Sequence, residues 1–200
     1  MERRKQALYD FYLVPGSTAG TLVDSRASLI QAAITLCVLI VATGASVAFA
    51  RGDSGIAAAF EVVRSLVAAA LLAALQSGVM WVLLAGAKER SPFKRLFRLA
   101  LMVDVVWIGI AGVVVAAISA LRHSLGQAPP APGLLLPSLG WFVDPNSTAA
   151  MLLSFVNPIV FYAAWLLAAG LRNGCQLKNA AVALATVGFL VCSIGLTLLG

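Results

Sequence analysis

Polar side chains inside long apolar stretches are the residues most able to do chemistry in this chain, because their burial is costly. Asp104 lies in "LMVDVVW", Gln76 in "AALQSGV" and Asn157 in "SFVNPIV". A carboxyl group with nearby amides could hold a proton or a cation. The alternative is structural: Asp104 bonds to Gln76 and helps to hold helices together. Both interpretations stay open for this candidate intramembrane polar site.

The sequence does not contain the residue patterns of the common enzyme classes. It has one histidine, His123, and no HExxH, GxSxG or P-loop pattern. Metal sites need clustered His, Cys or acidic residues, whereas the three cysteines (Cys37, Cys175 and Cys192) lie apart without a CxxC motif. We therefore predict no enzymatic activity, no catalytic residues, no metal site and no cofactor.

The elements that must position these polar residues are transmembrane helices. Hydrophobic residues make up 61% of the 200 residues and charged residues only 11%, against roughly 45–50% and 25% in soluble domains. A membrane span needs about 20 apolar residues. The predicted fold is all-α: a polytopic bundle forming a single membrane domain over residues 1–200. Its five predicted spans cover about 29–50, 65–87, 97–121, 148–171 and 179–199.

The basic residues indicate how the chain is threaded. Eleven of the 14 lysines and arginines precede the first span or flank the loops after the second and fourth spans. Positive loops stay in the cytoplasm, so we expect segment 1–28 inside and the C-terminus outside. The net charge of +6 is explained by this threading without a nucleic-acid partner. Basic residues near the surface also attract anionic lipids; the candidate lipid contacts are Lys88, Arg90, Lys94, Arg95 and Arg98.

The longest loop, 122–147, is predicted to lie outside and is rich in proline. Its apolar "GLLLP" and the pair Trp141-Phe142 should be covered by headgroups or by another protein. Leu135, Trp141 and Phe142 are therefore candidate partner contacts, together with Trp165 in the fourth span.

The fourth span contains a helix breaker. Pro158 lacks a backbone donor and should kink the helix. Ser154 and Asn157 can bond to the backbone groups that the kink frees, as a membrane interior requires. The pattern predicts a bent but internally satisfied helix.

The stretch "NPIVFYAAWLLAAGLRNGCQLKNAAVAL" resembles the fourth-span region of bacterial Yip-family proteins. The similarity rests on Tyr162 or Phe161, Trp165, Gly170, Lys178 and Ala181, and on Pro15 before the first span. It implies five spans with the N-terminus inside. Eukaryotic members bind small GTPases through N-terminal signatures that are absent from this chain, so a GTPase partner is not expected.

Together these observations predict a non-catalytic membrane scaffold or accessory subunit of the Yip type. Its expected partners are membrane lipids and other integral membrane proteins, or a larger membrane complex. The alanine-rich composition and short loops indicate a bacterial plasma (inner) membrane. The alternative is a small transporter or channel that uses Asp104 as an ion or proton site.

Overall fold

The computed structural model describes residues 10–13, 15, 19, 22, 24–51, 55–126, 138–142 and 147–199. Throughout this part of the chain the regular structure is helical. The elements in chain order are α1 (Arg26–Arg51), α2 (Gly55–Gly86), α3 (Phe93–Asp104), the π-helix π1 (Val105–Ile110), α4 (Ala111–Ser124), a 3₁₀ turn (Leu139–Phe142), α5 (Thr148–Leu153), α6 (Pro158–Ala169), the π-helix π2 (Gly170–Gly174) and α7 (Asn179–Leu199).

Three helical stretches are long and apolar enough to cross a membrane: Arg26–Ser46, Gly55–Gly86 and Phe93–Arg122. The last is continuous through α3, π1 and α4. Helix α7 contains a shorter apolar stretch, Asn179–Gly195. The helical class and the presence of membrane-type helices are thus confirmed, while the count of five spans stays a prediction.

Helix α2 begins ten residues before the predicted second span, at Gly55 instead of residue 65. The added turns contain the alanine run "IAAAF", and alanine is the best helix former. Arg64 and Glu61 also form an i,i+3 ion pair at 2.6 Å. Residues 55–64, which follow the first span in the sequence, therefore belong to the same helix as the second span.

The predicted fourth span, 148–171, is interrupted by a break and is not one kinked helix. Helix α5 ends at Leu153 and α6 begins at Pro158. Proline suits the first position of a helix, where its missing N–H has no intrahelical partner. Asn157 caps this start: its Oδ1 accepts from the Val160 N–H at 3.0 Å, and its Nδ2 donates to the Ser154 carbonyl at 2.9 Å.

The chain divides into two compact units. Unit 1 comprises Met1–Ile34, Ala70–Asp104 and Ala163–Gly200, and unit 2 comprises Thr35–Ala69 and Val105–Tyr162. In unit 2, the α1 side chains Leu39 and Thr43 lie against Gly109 and Gly112. The 3₁₀ turn packs on α5, and the Leu139 N–H donates to the Val156 carbonyl at 3.2 Å.

The core of unit 1 is built from three helices. Helix α2 buries Ala73, Gln76, Met80 and Leu84, whose spacing of three or four residues places them on one face. Helix α3 is buried almost all round from Leu96 to Asp104, apart from the half-buried Phe97. Helix α7 contributes one row at every fourth position: Ala181, Ala185, Phe189 and Ser193.

At one end of unit 1, two ion pairs join three stretches of chain that lie far apart in the sequence. Arg95 forms a bidentate ion pair with Asp24: Nε donates to Oδ1 at 2.7 Å and Nη2 donates to Oδ2 at 2.8 Å. Lys178 Nζ lies 3.2 Å from Glu89 Oε1. The segment before α1, the α2–α3 junction and the segment before α7 therefore meet.

The segment before α1 is anchored to unit 1. Phe11 is completely buried and contacts Tyr12 edge-to-face, with ring centroids 5.5 Å apart. The Tyr12 hydroxyl donates to the Met102 carbonyl at 3.0 Å.

Candidate functional site

The candidate site is a buried polar cluster in unit 1, defined by Gln76, Asp104 and Ser193. All three residues have no solvent exposure. Each comes from a different helix: Gln76 from the buried face of α2, Asp104 from the end of α3, and Ser193 from the buried row of α7. The structure thus brings together Asp104 and Gln76, which the sequence had singled out, and adds Ser193.

Gln76 is the centre of the hydrogen-bond network. Its Nε2 donates to Ser193 Oγ at 2.9 Å and to Asp104 Oδ1 at 3.3 Å. The Ser193 hydroxyl donates in turn to the Phe189 carbonyl at 2.7 Å. Both amide hydrogens of Gln76 are therefore used, and the network links three helices.

Two oxygen atoms of the cluster lack a donor. Asp104 Oδ2 and Gln76 Oε1 are buried, and neither has a hydrogen-bond partner among the described residues. Carboxylate and amide oxygens are hard ligands that accept protons, water or hard cations. The cluster could therefore hold a proton or a small cation as well as hold helices together.

Asp104 lies at a change in helix geometry. It is the last residue of α3, and π1 begins at Val105. Short π-helical segments inside α-helices occur frequently at functional sites. This π-helix could not be predicted from the sequence, because its residues, "VVWIGI", are ordinary apolar helix residues.

Asn157 does not form part of the cluster. Both ends of its amide are engaged in the cap of α6, in unit 2. The hydrogen bonds of unit 1 thus join Asp104 and Gln76 of the predicted set and add Ser193, which the sequence analysis had not singled out. A serine in an apolar helix gave little signal, since serine commonly bonds to its own helix backbone.

The five predicted lipid-contacting residues separate into two groups. Lys88, Arg90 and Lys94 are exposed. Arg95 is held by Asp24, and Arg98 is buried with only 4% of its surface exposed. Arg98 therefore does not present its guanidinium to headgroups, which corrects that expectation.

The predicted partner contacts are only partly within the described structure. Phe142 is 84% exposed and Trp165 is 49% exposed. Leu135 lies outside the described residues, and for Trp141, in the 3₁₀ turn, only the backbone is described.

Described residues of unit 1 line the following two cavities. One, of about 710 Å³, is lined by Trp81, Ala85 and the α2–α3 junction from Lys88 to Pro92. The other, of about 620 Å³, is lined by α6, π2, α7 and Pro15. Asp104 lines neither cavity.

The Cys175 thiol lies under the same junction and is 8% exposed. Burial raises the pKa of this thiol, while the Ser91 hydroxyl and the Arg95 charge act in the opposite direction. The thiol is therefore a poor nucleophile at neutral pH. In the described part of the chain, no cluster of three or more His, Cys, Asp or Glu residues could hold a metal ion.

Comparisons with known proteins do not assign the chain to a family: no family model matches it, and neither does any curated protein or solved structure.

Proposed function

We propose that this protein is a non-catalytic integral membrane scaffold or accessory subunit, of the Yip type, that packs against other membrane proteins. It sits in a bacterial plasma membrane with its N-terminus in the cytoplasm, its C-terminus outside and five spans. The ion pairs Asp24–Arg95 and Lys178–Glu89 support this threading. They join the segment before the first span to the loops after the second and fourth spans. A chain that crosses the membrane five times has these three segments on the same side.

The observation that carries the proposal is a stripe of small residues left uncovered on α2. Ala70 and Ala74 are exposed, Gly78 is half-exposed, and a Cβ on Gly78 would meet no atom of another described element within 4 Å. Small residues at every fourth position let membrane helices approach closely. Among the described residues, no helix covers this stripe.

Large apolar side chains continue this surface. In unit 1, α2 exposes Leu71, Leu75 and Val82. In unit 2, the same helix exposes Phe60, Val63 and Val67. Only 28% of its most apolar window is buried, so most of this helix is available to lipid or to partner helices.

Filling the stripe tests the proposal. Ala74→Leu should remove a partner that co-purifies in mild detergent, because the larger side chain keeps a partner helix away. The unfolding temperature should stay unchanged, because the side chain points away from the core. Ala68→Leu is the matched control, since Ala68 is also exposed but lies about a third of a turn from the stripe at 100° per residue.

Two results would contradict the scaffold proposal. One is the recovery of every wild-type partner with Ala74→Leu. The other is the absence of any co-purifying membrane protein from the wild type.

The alternative is a transporter or channel with Asp104 as its ion or proton site. The unpartnered Oδ2 of Asp104 and Oε1 of Gln76 favour it, since a cation, proton or water would satisfy both. Proton or cation flux in liposomes that is present in the wild type and absent in Asp104→Asn would establish this function.

A further inference from the structure

We infer that the cavity at the α2–α3 junction binds the phosphate group of an anionic membrane phospholipid. Lys88 and Arg90 line this cavity of about 710 Å³, and in the described part of the chain neither forms an ion pair. Trp81, half-exposed on the last turns of α2, lines it too. Basic residues beside an aromatic ring are typical of the headgroup level of a membrane.

Of the charged groups in or beside the cavity, Glu89 and Arg95 are already neutralised within the chain, and the exposed Lys94 does not line it. Glu89 also lines the cavity, but its carboxylate is paired with Lys178 at 3.2 Å. Arg95 is paired with Asp24. The positive charge left for a ligand is therefore that of Lys88 and Arg90, only two of the five basic residues that the sequence had suggested for lipid contact.

The start of α3 faces the same junction. Ser91 lines the cavity and is 6% exposed, and its hydroxyl lies against the Cys175 thiol. Pro92 precedes α3 and has no side chain that could cap it. Its carbonyl accepts from the Arg95 N–H at 2.9 Å, and the N–H groups of Phe93 and Lys94 come before that first bond. Such a helix start favours an anion.

The backbone of Lys88 is a further indication. Lys88 has φ 58°, the left-handed conformation that glycine adopts most easily. Its N–H donates to the Ala85 carbonyl at 3.1 Å and the Glu89 N–H to the Leu84 carbonyl at 3.0 Å, which is the Schellman ending of a helix. Glycine is the usual residue here, yet the chain places a charged side chain at this strained position.

The test measures lipid binding by native mass spectrometry of the full chain in neutral detergent. The probes are short-chain phosphatidylglycerol, short-chain phosphatidylcholine and inorganic phosphate. Wild type should bind phosphatidylglycerol saturably, phosphatidylcholine weakly and inorganic phosphate weakly. Equal binding of phosphatidylcholine, or inorganic phosphate binding as tight as that of phosphatidylglycerol, would overturn the assignment to an anionic lipid.

Lys88→Gly is the decisive variant because binding and folding should respond differently. It removes the ammonium but relieves the backbone strain, so phosphatidylglycerol affinity should fall about tenfold, as expected for one charged hydrogen bond, without a loss of unfolding temperature. Gln176→Gly is the matched control: Gln176 is exposed and has φ 57°, but carries no charge. Its affinity should equal that of the wild type.

Arg90→Gln should weaken binding to a similar extent. The double variant Arg26→Gln with Lys94→Gln removes two charges from exposed residues that do not line the cavity, and should bind as the wild type does. If this double variant weakens binding as much as Lys88→Gly, only general charge attraction is at work and the site does not exist. Wild-type affinity in both Lys88→Gly and Arg90→Gln would equally refute it.

Discussion

Gln76 and Ser193 are 117 residues apart in sequence, yet the Gln76 Nε2 lies 2.9 Å from the Ser193 Oγ. The same amide reaches Asp104 on a third helix. A buried polar group that is bonded costs little, but one that loses its partner costs the full desolvation penalty. The cluster therefore makes the stability of unit 1 depend on hydrogen-bonding side chains at these three positions.

Asp104→Asn should keep the bundle folded. The asparagine oxygen still accepts a hydrogen bond from Gln76, and the asparagine amide can donate to Gln76 Oε1, which has no donor in the wild type. Asp104→Ala should lower the free energy of unfolding by about 1–3 kcal/mol, since it removes an acceptor from a buried amide. Thermal unfolding in detergent compares the two variants. A loss in Asp104→Asn as large as that in Asp104→Ala would show that hydrogen bonding is not what Asp104 contributes.

Gly170→Ala should destabilise the protein by about 1–3 kcal/mol through overpacking. A Cβ at Gly170 would overlap the Leu99 side chain, which is fully buried. Gly78→Ala is the matched control, because its Cβ would meet no atom within 4 Å. In a Leu99→Ala background, the added cost of Gly170→Ala should be smaller, because the truncated side chain leaves room for the Cβ. Equal stability of the two glycine variants, measured by thermal unfolding, would contradict the contact.

The helical class was predictable because long apolar runs leave a chain few other ways to satisfy its backbone. The bounds of α7 were predicted to the residue, because Asn179 begins it after a polar loop. The sequence predicts a kink where the structure has a break before Pro158. Proline alone does not distinguish a position inside a helix from the first position of a new helix. The polar cluster was predictable only in part: Gln76, the partner of Asp104, stood out in its apolar run, whereas Ser193, the second partner of Gln76, resembled any small helix residue.

Phe11→Ala should release the segment before α1 from unit 1. Phe11 is completely buried, and truncation of a buried phenylalanine costs about 3–5 kcal/mol. Leu13→Ala is the control, because Leu13 is 76% exposed. Limited proteolysis should cleave the Phe11 variant faster than the wild type and leave the Leu13 variant unchanged. Identical cleavage of all three proteins would exclude anchoring by Phe11.

The proposed threading predicts which residues a membrane-impermeant maleimide can reach. In a variant without the native cysteines, Phe142→Cys should react in intact cells, since Phe142 is 84% exposed in the loop expected outside. Gln176→Cys, also exposed, should react only after the membrane is opened. Labelling of Gln176→Cys in intact cells would reverse the assignment of the two sides.

The Cys175 thiol should react slowly with alkylating reagents at neutral pH. Burial raises its pKa above the ordinary value of 9.0, and the thiolate is the reactive form. Gln176→Cys in a Cys175→Ser background provides an exposed thiol at the next position for comparison. Mass spectrometry of the alkylated peptide should show much faster labelling of the exposed thiol.

The same shift predicts how stability depends on pH. The pKa of Cys175 is higher in the folded state than in the unfolded state. The neutral thiol therefore contributes its full stabilisation of the folded state below pH 9.0, the ordinary pKa. This contribution is lost as the pH rises from the unfolded pKa through the folded pKa. Between pH 7 and pH 10 the unfolding temperature of the wild type should therefore fall more than that of Cys175→Ser. Parallel decreases in the two proteins would show that Cys175 ionises equally easily in the folded and unfolded chain.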